Sequence, residues 1–391
     1  KERIYTNINN KKPKRIKVKA LIAGGGMAGS ALYRYLAEAG MEPVLINKGR
    51  GASWRNIAGG RPAFSLPALA DIALNNKQIY EELQSVSNID YRPTNYVTFA
   101  HDKNTYRALD ASRQWSNAEM IEPKDFRKKI SPYFSKDINK YKSALVTDDC
   151  WQATPGKALD LIRHLGTEAG GIINEDSELI DIYKEKDNKI ALVKLHDDSF
   201  IEYETEHFVN ALGPEAEKFA NKLGIYTGVF PVKHQAFITR RLPYMGIEGK
   251  PLPMMIDRRN YKGFSAVYGQ QLGETGQVIG CASPAVDPQE TDKNLKVNSL
   301  EFMNIVSEVF VDWIPELSNI GFQAVWSGYY VEPRYIVDPG KGLFIGLRGH
   351  GFMMGQYLAK LYADKISGKK VPEYFEKLRL DDEGLAEKSF K

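Results

Sequence analysis

Gly24, Gly26 and Gly29 stand in the spacing GxGxxG, within the run GGGMAG. The first glycine of such a loop allows a tight turn. The second lets a pyrophosphate approach the backbone, and the third lets a helix lie close against a strand. A helix opening there aims unpaired N–H groups and the positive end of its dipole at the phosphates. The spacing is weak evidence by itself, so its surroundings carry the reading. Ile16, Val18, Ala20 and Ile22 alternate ahead of the loop, which predicts one strand. Leu32, Leu36 and Ala39 share one helical face behind it, Gly40 follows as a C-cap, and Pro43 to Ile46 reads as a second strand. This βαβ pattern predicts dinucleotide binding. At the end of such a second strand an acid usually holds the ribose hydroxyls, and here VLINKGR places Asn47. An amide hydrogen-bonds a hydroxyl without bringing a charge. Asn47 also suits an ordinary turn before Gly49.

A second group of reactive side chains lies near the C-terminus. Gly349, His350 and Gly351 separate the apolar strand GLFIGL from a helix with Met354, Leu358, Leu361 and Ile366 on one face and Gly368 at its end. His350 suits proton transfer or, equally, a satisfied loop position. Just upstream, WSGYYVEPRYIVD brings together Tyr329, Tyr330, Glu332 and Arg334. A guanidinium fork at Arg334 or Arg61 matches a carboxylate in bidentate fashion. The plainer alternatives are a surface ion pair for Arg334 and a contact to phosphate or another part of a bound cofactor for Arg61. Glu332 offers a partner for a cationic group instead.

These groups need a scaffold, and the composition provides for one. The chain has 391 residues, of which 43% are hydrophobic and 26% charged. That is room for two to three domains of roughly 150 residues each, and it excludes a disordered or fibrous chain. No apolar run reaches the length of a membrane-spanning helix. Cys150 and Cys281 are the two cysteines, far apart, which argues against a disulfide scaffold, an iron–sulfur cluster or structural zinc. No HExxH or GxSxG occurs, so neither a metal site nor a hydrolase is expected. The net charge is +4, yet eight of the Lys and Arg residues crowd into residues 1–19 with Glu2 as the one acid there. The rest of the chain is therefore close to neutral. We read 1–15 as a solvated basic extension without the apolar stretch of a secretory leader, and expect a cytoplasmic protein with no nucleic-acid partner.

Along the chain, residues 65–140 read as mixed and polar, with the aromatic pair Tyr91/Tyr96 and Trp115. A helix follows from Thr154 as N-cap with Pro155 at its first position, stopped by Gly170 and Gly171. Short alternating strands run from Glu178 to Leu212, and 225–325 reads as antiparallel strands plus a helix near Leu300 to Phe310. Both ends are α/β in character and two sheet-rich inserts lie between them.

At this point the chain resembles the FAD-dependent amine oxidoreductases grouped around D-amino-acid oxidase, glycine oxidase and monomeric sarcosine oxidase. Five segments carry the resemblance, in order from about Val18 to Val371: the glycine loop, GASWRNIAGGRP, SELIDI, VNALG and GLRGHGFMMG. The family implies a Rossmann-type FAD-binding domain and an antiparallel-sheet substrate domain formed by two inserts, α/β in class and α+β overall. Mapped onto this chain, the FAD-binding domain takes 16–85, 145–220 and 326–391, and the substrate domain takes 86–144 and 221–325. The C-terminal glycine loop favours FAD over a nicotinamide. The helix after it would turn N–H groups and its dipole toward the pyrimidine end of the flavin, stabilising negative charge there.

The resemblance also implies site residues. For the cofactor these are Gly24, Gly26, Met27, Ala28 and Gly29; Asn47 and Lys48; Ser53, Arg55 and Asn56; Leu179, as a backbone contact to adenine; Ala211 and Gly213; and Gly349, Gly351, Phe352 and Met353. Some relatives bind flavin to a cysteine, whose place Ser327 takes here, so noncovalent FAD is expected. Tyr329 aligns with a substrate-facing tyrosine, though a cross-strand aromatic pair is as simple a reading. Tyr330 stands where many relatives carry a carboxylate-binding arginine. Met353 stands where sarcosine oxidases carry a lysine on the oxygen side of the flavin, which makes a dehydrogenase with another electron acceptor credible beside an oxidase. Arg258 and Tyr268 fall on expected substrate-domain strands, where alternating polar and aromatic residues also suit any half-buried sheet. The implied reaction is oxidation of the C–N bond of a primary or secondary amine or amino acid by hydride transfer to flavin N5. Tyr329, His350 and Arg334 are the candidates for chemistry, and Arg61, Tyr330, Arg258 and Tyr268 for substrate contact. The imine formed then hydrolyses. The alternatives are a related flavoprotein oxidising a hydroxy acid or polyol phosphate, or a flavin-bound electron-transfer subunit without turnover of its own.

Overall fold

A computed structural model describes residues 13–113, 117–137, 140–261, 263–284, 295–296, 298–382 and 384–385. Residues 1–12 of the basic extension and Trp115 lie outside them. Among the described residues, no helix is long and apolar enough to cross a membrane.

The strand Ala20–Ala23 is wholly buried, as a central parallel strand flanked on both faces must be. It lies in a six-stranded sheet in the order Ile336–Asp338, Leu343–Ile345, His207–Asn210, Ala20–Ala23, Val44–Ile46 and Ile172–Asn174. All neighbours are parallel except the edge pair Ile336–Asp338 and Leu343–Ile345. The helix Met27–Glu38 crosses over between the first two parallel strands, and Gly40 at φ +75° ends it. The helix Gly351–Ile366 packs beside it in one apolar core, where Leu32, Leu36, Leu358 and Tyr362 are buried together.

One strand was expected over Ile16 to Ile22, and the structure makes two, Lys14–Lys17 and Ala20–Ala23, in different sheets. The reason is Arg15. Its guanidinium reaches Glu202 and Glu185, which draws Lys14–Lys17 into parallel register beside Phe200–Thr205. Lys14 and Arg15, counted with the extension from the sequence, are thus structural. With Asn188–Lys194 and Glu178–Glu185 these strands form a four-stranded sheet.

A nine-stranded sheet makes the other half of the molecule. Its long strands are Arg92–Ala100, Ser143–Gln152, Phe230–Thr239, Met254–Asp257, Phe264–Gln271, Val278–Pro284 and Phe322–Glu332, mostly antiparallel. The sequence boundaries at 145 and 326 fall inside two of these strands, each of which belongs to this sheet along its whole length. The two faces alternate with period two. Val97, Phe99, Met255, Val267, Phe237 and Ala282 pack against the helix Leu300–Trp313, through Phe302, Val306, Val309, Phe310 and Trp313. The residues between them form the opposite face, which is left for the site.

The helix Pro67–Val86 was not foreseen in the polar stretch 65–140. Leu69, Ile72, Ala73, Ile79, Tyr80 and Leu83 form its buried face, interrupted by the fully buried Asn76.

Candidate active site

The glycine loop is a cradle that side chains would fill. A Cβ on Gly24, at φ +107°, would lie 2.3 Å from the Ala211 carbonyl oxygen, and one on Gly29 would lie 1.8 Å from that of Gly24. Gly29 therefore brings the helix onto the strand-loop junction, as its position in the motif predicts. Neither the helix Met27–Glu38 nor the helix Gly351–Ile366 has its N-terminus capped by the N-cap side chain. At the first, the Met27 N–H donates to Ser53 Oγ at 2.8 Å.

Both helix starts border one cavity of about 310 Å³. It runs past Asn47, Leu179 and Ala211 to Tyr330, Gly349 and Phe352, joining the two glycine loops. A dinucleotide cofactor of the FAD type fits this arrangement, with the backbone N–H groups of two helix starts, neither capped by its N-cap side chain, bordering the cavity. Of the residues expected to hold the cofactor, all line this cavity except Gly29, Arg55 and Met353. Gly29 acts one turn deeper, as packing. Arg55 is engaged elsewhere: its guanidinium donates to the Ser327 carbonyl at 3.1 Å, while its own carbonyl accepts from Trp326 Nε1. It ties its loop to the strand Phe322–Glu332 and lies outside the lining of this cavity. Met353 lines a second cavity.

That second cavity, of about 630 Å³, lies on the free face of the nine-stranded sheet. The two cavities share Asn56, Tyr330, Arg348, Gly349 and Phe352 and so meet there. The face is built by alternation: Phe230, Val232 and His234 on one strand, Met254 and Ile256 on another, Tyr96 on a third. Arg61, Arg258, Glu332, Tyr268, Tyr330 and His350 also line it. Four substrate candidates, Arg61, Tyr330, Arg258 and Tyr268, are thus brought together.

Two candidates are not. Tyr329 lines the first cavity and not the second. Neighbouring residues on a strand face opposite ways, and it is Tyr330 that turns to the sheet's free face. Arg334 lines neither cavity. Its guanidinium donates to the carbonyls of Leu380 and Asp382, so it pins the C-terminal segment and is not placed to clamp a substrate.

Electrostatics at the cavity wall are set by burial. Tyr330 Oη and Tyr268 Oη share a hydrogen bond of 3.0 Å. Burial holds both hydroxyls well above the usual tyrosine range, and it pushes the thiol of Cys281, beside Tyr268, up to about 12. These groups are neutral at ordinary pH. His234 stacks on Tyr330 with ring centroids 3.6 Å apart. Burial pushes its pKa down to about 3, so the imidazole is uncharged too. The charged pair at the junction is Arg348 Nε to Glu332 Oε2, at 2.7 Å. His350 Nδ1 lies 2.6 Å from Tyr335 Oη, and Arg61 lies over the Phe64 ring at 4.1 Å.

His234, Arg348 and Tyr96 also line the second cavity, and the sequence alone did not single them out for it. The period-two pattern through Phe230, Val232 and His234 carried a signal for the first. Arg348 sits inside the RGHGF motif but takes a left-handed φ of +49°, which its residue type does not announce.

The family model described as DAO, FAD dependent oxidoreductase, matches residues 19–365. Among solved structures, L-proline dehydrogenase from P. horikoshii is similar at TM-score 0.79 and 24% identity, over 94% of this chain and 98% of that one. Glycine oxidase from Geobacillus kaustophilus gives 0.78 at 17% identity, over 95% and 100%. L-amino acid deaminase from Proteus vulgaris gives 0.75 at 14%, over 96% and 99%. At such identities the likeness is one of fold. The comparison with curated proteins gives no match.

Proposed function

The chain belongs to the family of FAD-dependent oxidoreductases, and from that premise we propose that it oxidises the C–N bond of a primary or secondary amine or amino acid, giving an imine that hydrolyses. The membership bears out the resemblance read from the five sequence segments. The observation that carries the finer reading is the second cavity, which opens onto the cofactor cavity at Tyr330, Arg348, Gly349 and Phe352 and holds Arg61 and Arg258 on its wall. When bound, FAD supplies the acceptor for the two electrons and the hydrogen that leave the substrate carbon.

The chain's own residues bind, orient and keep the site dry. Arg258 takes the substrate carboxylate, a role that Arg334, outside both cavities, is not placed to fill; Arg61 lines the same cavity and, with one NH donating to the Ala63 carbonyl, offers its remaining donors. Glu332, steadied by Arg348, accepts hydrogen bonds from the amine side. The Tyr268–Tyr330 pair donates a hydroxyl into the cavity from a fixed position, because each oxygen is held by the other. Met254, Ile256, Phe352 and Met353 exclude water around the reacting carbon. His350 is fixed by Tyr335 and serves as a proton relay at the junction. Noncovalent attachment of FAD is supported by the cysteines: Cys150 and Cys281 are buried and line neither cavity, and Ser327 bonds Asn298. Met353 brings no charge to the second cavity, which favours an electron acceptor other than oxygen.

Dye-coupled turnover tests the substrate class. Amino acids and secondary amines should reduce the dye, and turnover of hydroxy acids or polyol phosphates alone would overturn the reading.

A further inference from the structure

The strand end that usually carries an acid has Asn47, but the neighbouring strand supplies one. Ile46 and Asn174 are register partners in the parallel pair Val44–Ile46 and Ile172–Asn174. The next residues along, Asn47 and Glu175, therefore emerge side by side. Asn47 is 5% exposed, and its Nδ2 donates to Glu175 Oε2 at 2.5 Å. A carboxylate only accepts, so the amide must turn its NH₂ to Glu175 and its oxygen the other way. That oxygen takes one long hydrogen bond, from the Gly49 N–H at 3.4 Å, which leaves its second lone pair, and it lies against the glycine loop: a Cβ on Gly25 would sit 2.6 Å from Asn47 Oδ1. Glu175 is itself held. Arg163 NH1 reaches its Oε1 at 2.8 Å, while the same guanidinium donates to the Gly25 carbonyl at 3.3 Å and to Ser30 Oγ at 3.1 Å. Arg163 and Asn47 are buried, and the network ties two strand ends and the glycine loop into one unit.

We propose that Glu175 is the acid this site lacks in its own strand: a positioning residue that fixes the Asn47 amide oxygen as acceptor for the adenosine ribose hydroxyls of the cofactor. The inference rests on the FAD reading above. Glu175 acts through Asn47, and Arg163 holds Glu175 in place. The same carboxylate disfavours a nucleotide carrying a phosphate on that ribose.

The test uses the full chain freed of FAD, titrated calorimetrically with ADP and with 2′,3′-dideoxy-ADP. The unsubstituted chain should prefer ADP by about tenfold, the scale of one hydrogen bond between uncharged groups. In Glu175→Ala the preference should shrink to about twofold or less, because the acceptor is no longer oriented. Glu175→Ala keeping the full preference would overturn the proposal. A swap guards against misfolding. Asn47→Asp alone should weaken ADP binding, since two carboxylates then meet, and adding Glu175→Gln should restore it. A double variant no better than Asn47→Asp would also overturn it. If the unsubstituted chain binds neither ADP nor FAD, the FAD reading falls first and this inference falls with it.

Discussion

Tyr329 and Tyr330 are adjacent in one strand, yet only Tyr330 reaches the second cavity. Alignment to a family pattern finds the pair, but the strand's pleat decides which member serves, and a slip of one residue reverses the answer. Arg334 teaches the same lesson from the other side. Its residue type fits a carboxylate clamp, and the C-terminal carbonyls of Leu380 and Asp382 claim it. Arg334→Ala should therefore leave the substrate KM unchanged and lower stability by about 2 kcal/mol, as loss of hydrogen bonds from a charged donor does. Steady-state kinetics and urea unfolding check the two halves, and a several-fold rise in KM would reinstate the clamp. The glycines were legible because a backbone demand leaves one residue type able to meet it. Side chains that serve by direction, such as His234 and Glu175, were not, because direction is fixed by partners far away in sequence.

The helix Pro67–Val86 was hidden by its polar residues, and one of these holds the site's second helix. Asn76 Oδ1 accepts from the Gln356 and Tyr357 N–H groups at 3.0 and 3.1 Å, and its Nδ2 donates to the Phe352 carbonyl at 3.2 Å. It inserts into the first turns of Gly351–Ile366, whose N-terminus borders both cavities. Asn76→Leu should cost about 3 kcal/mol by leaving these buried backbone groups unpaired. A loss below about 1 kcal/mol in urea unfolding would show that they find other partners. A second anchor, in the nine-stranded sheet, is Asp257. Burial raises its pKa, but hydrogen bonds from Arg259, Tyr141 and Tyr261 outweigh that and hold the carboxyl below the usual range. Trp313 Nε1 joins through Tyr141 at 2.8 Å, so the helix Leu300–Trp313 is locked to the strand that presents Arg258. The sequence predicted that helix but not its docking, since the anchoring residues lie between 141 and 313.

At the scale of the whole molecule, the six-stranded and nine-stranded sheets each bring a cavity to a common border. Local pattern showed that two kinds of sheet exist, because a buried parallel strand and an alternating antiparallel one look different. It did not show where strand Ser143–Gln152 or Phe322–Glu332 belongs, since register is a long-range property. The second cavity also sets an acid limit on the fold. His234 is neutral in the folded state, with its pKa pushed down to about 3 by burial, whereas an unfolded histidine takes up a proton near its ordinary value. The unfolded chain thus binds more protons at this residue as pH falls from about 6.5 toward 3, and stability falls with it. The loss approaches about 1.4 kcal/mol per pH unit in that window, roughly 2 kcal/mol at pH 5. His234→Phe should flatten the dependence of unfolding free energy between pH 7 and 5 by that amount, and an equally steep variant would refute the assignment.

In the proposed reaction a bound flavin takes electrons from an amine placed on the free face of the nine-stranded sheet. The most direct measurement is the visible spectrum of the FAD-loaded protein before and after anaerobic addition of primary and secondary amino acids. The flavin band should bleach with at least one of them and persist with the matching hydroxy acid. A band that persists with every amine, while a hydroxy acid or polyol phosphate bleaches it, would rule out C–N oxidation as the reaction.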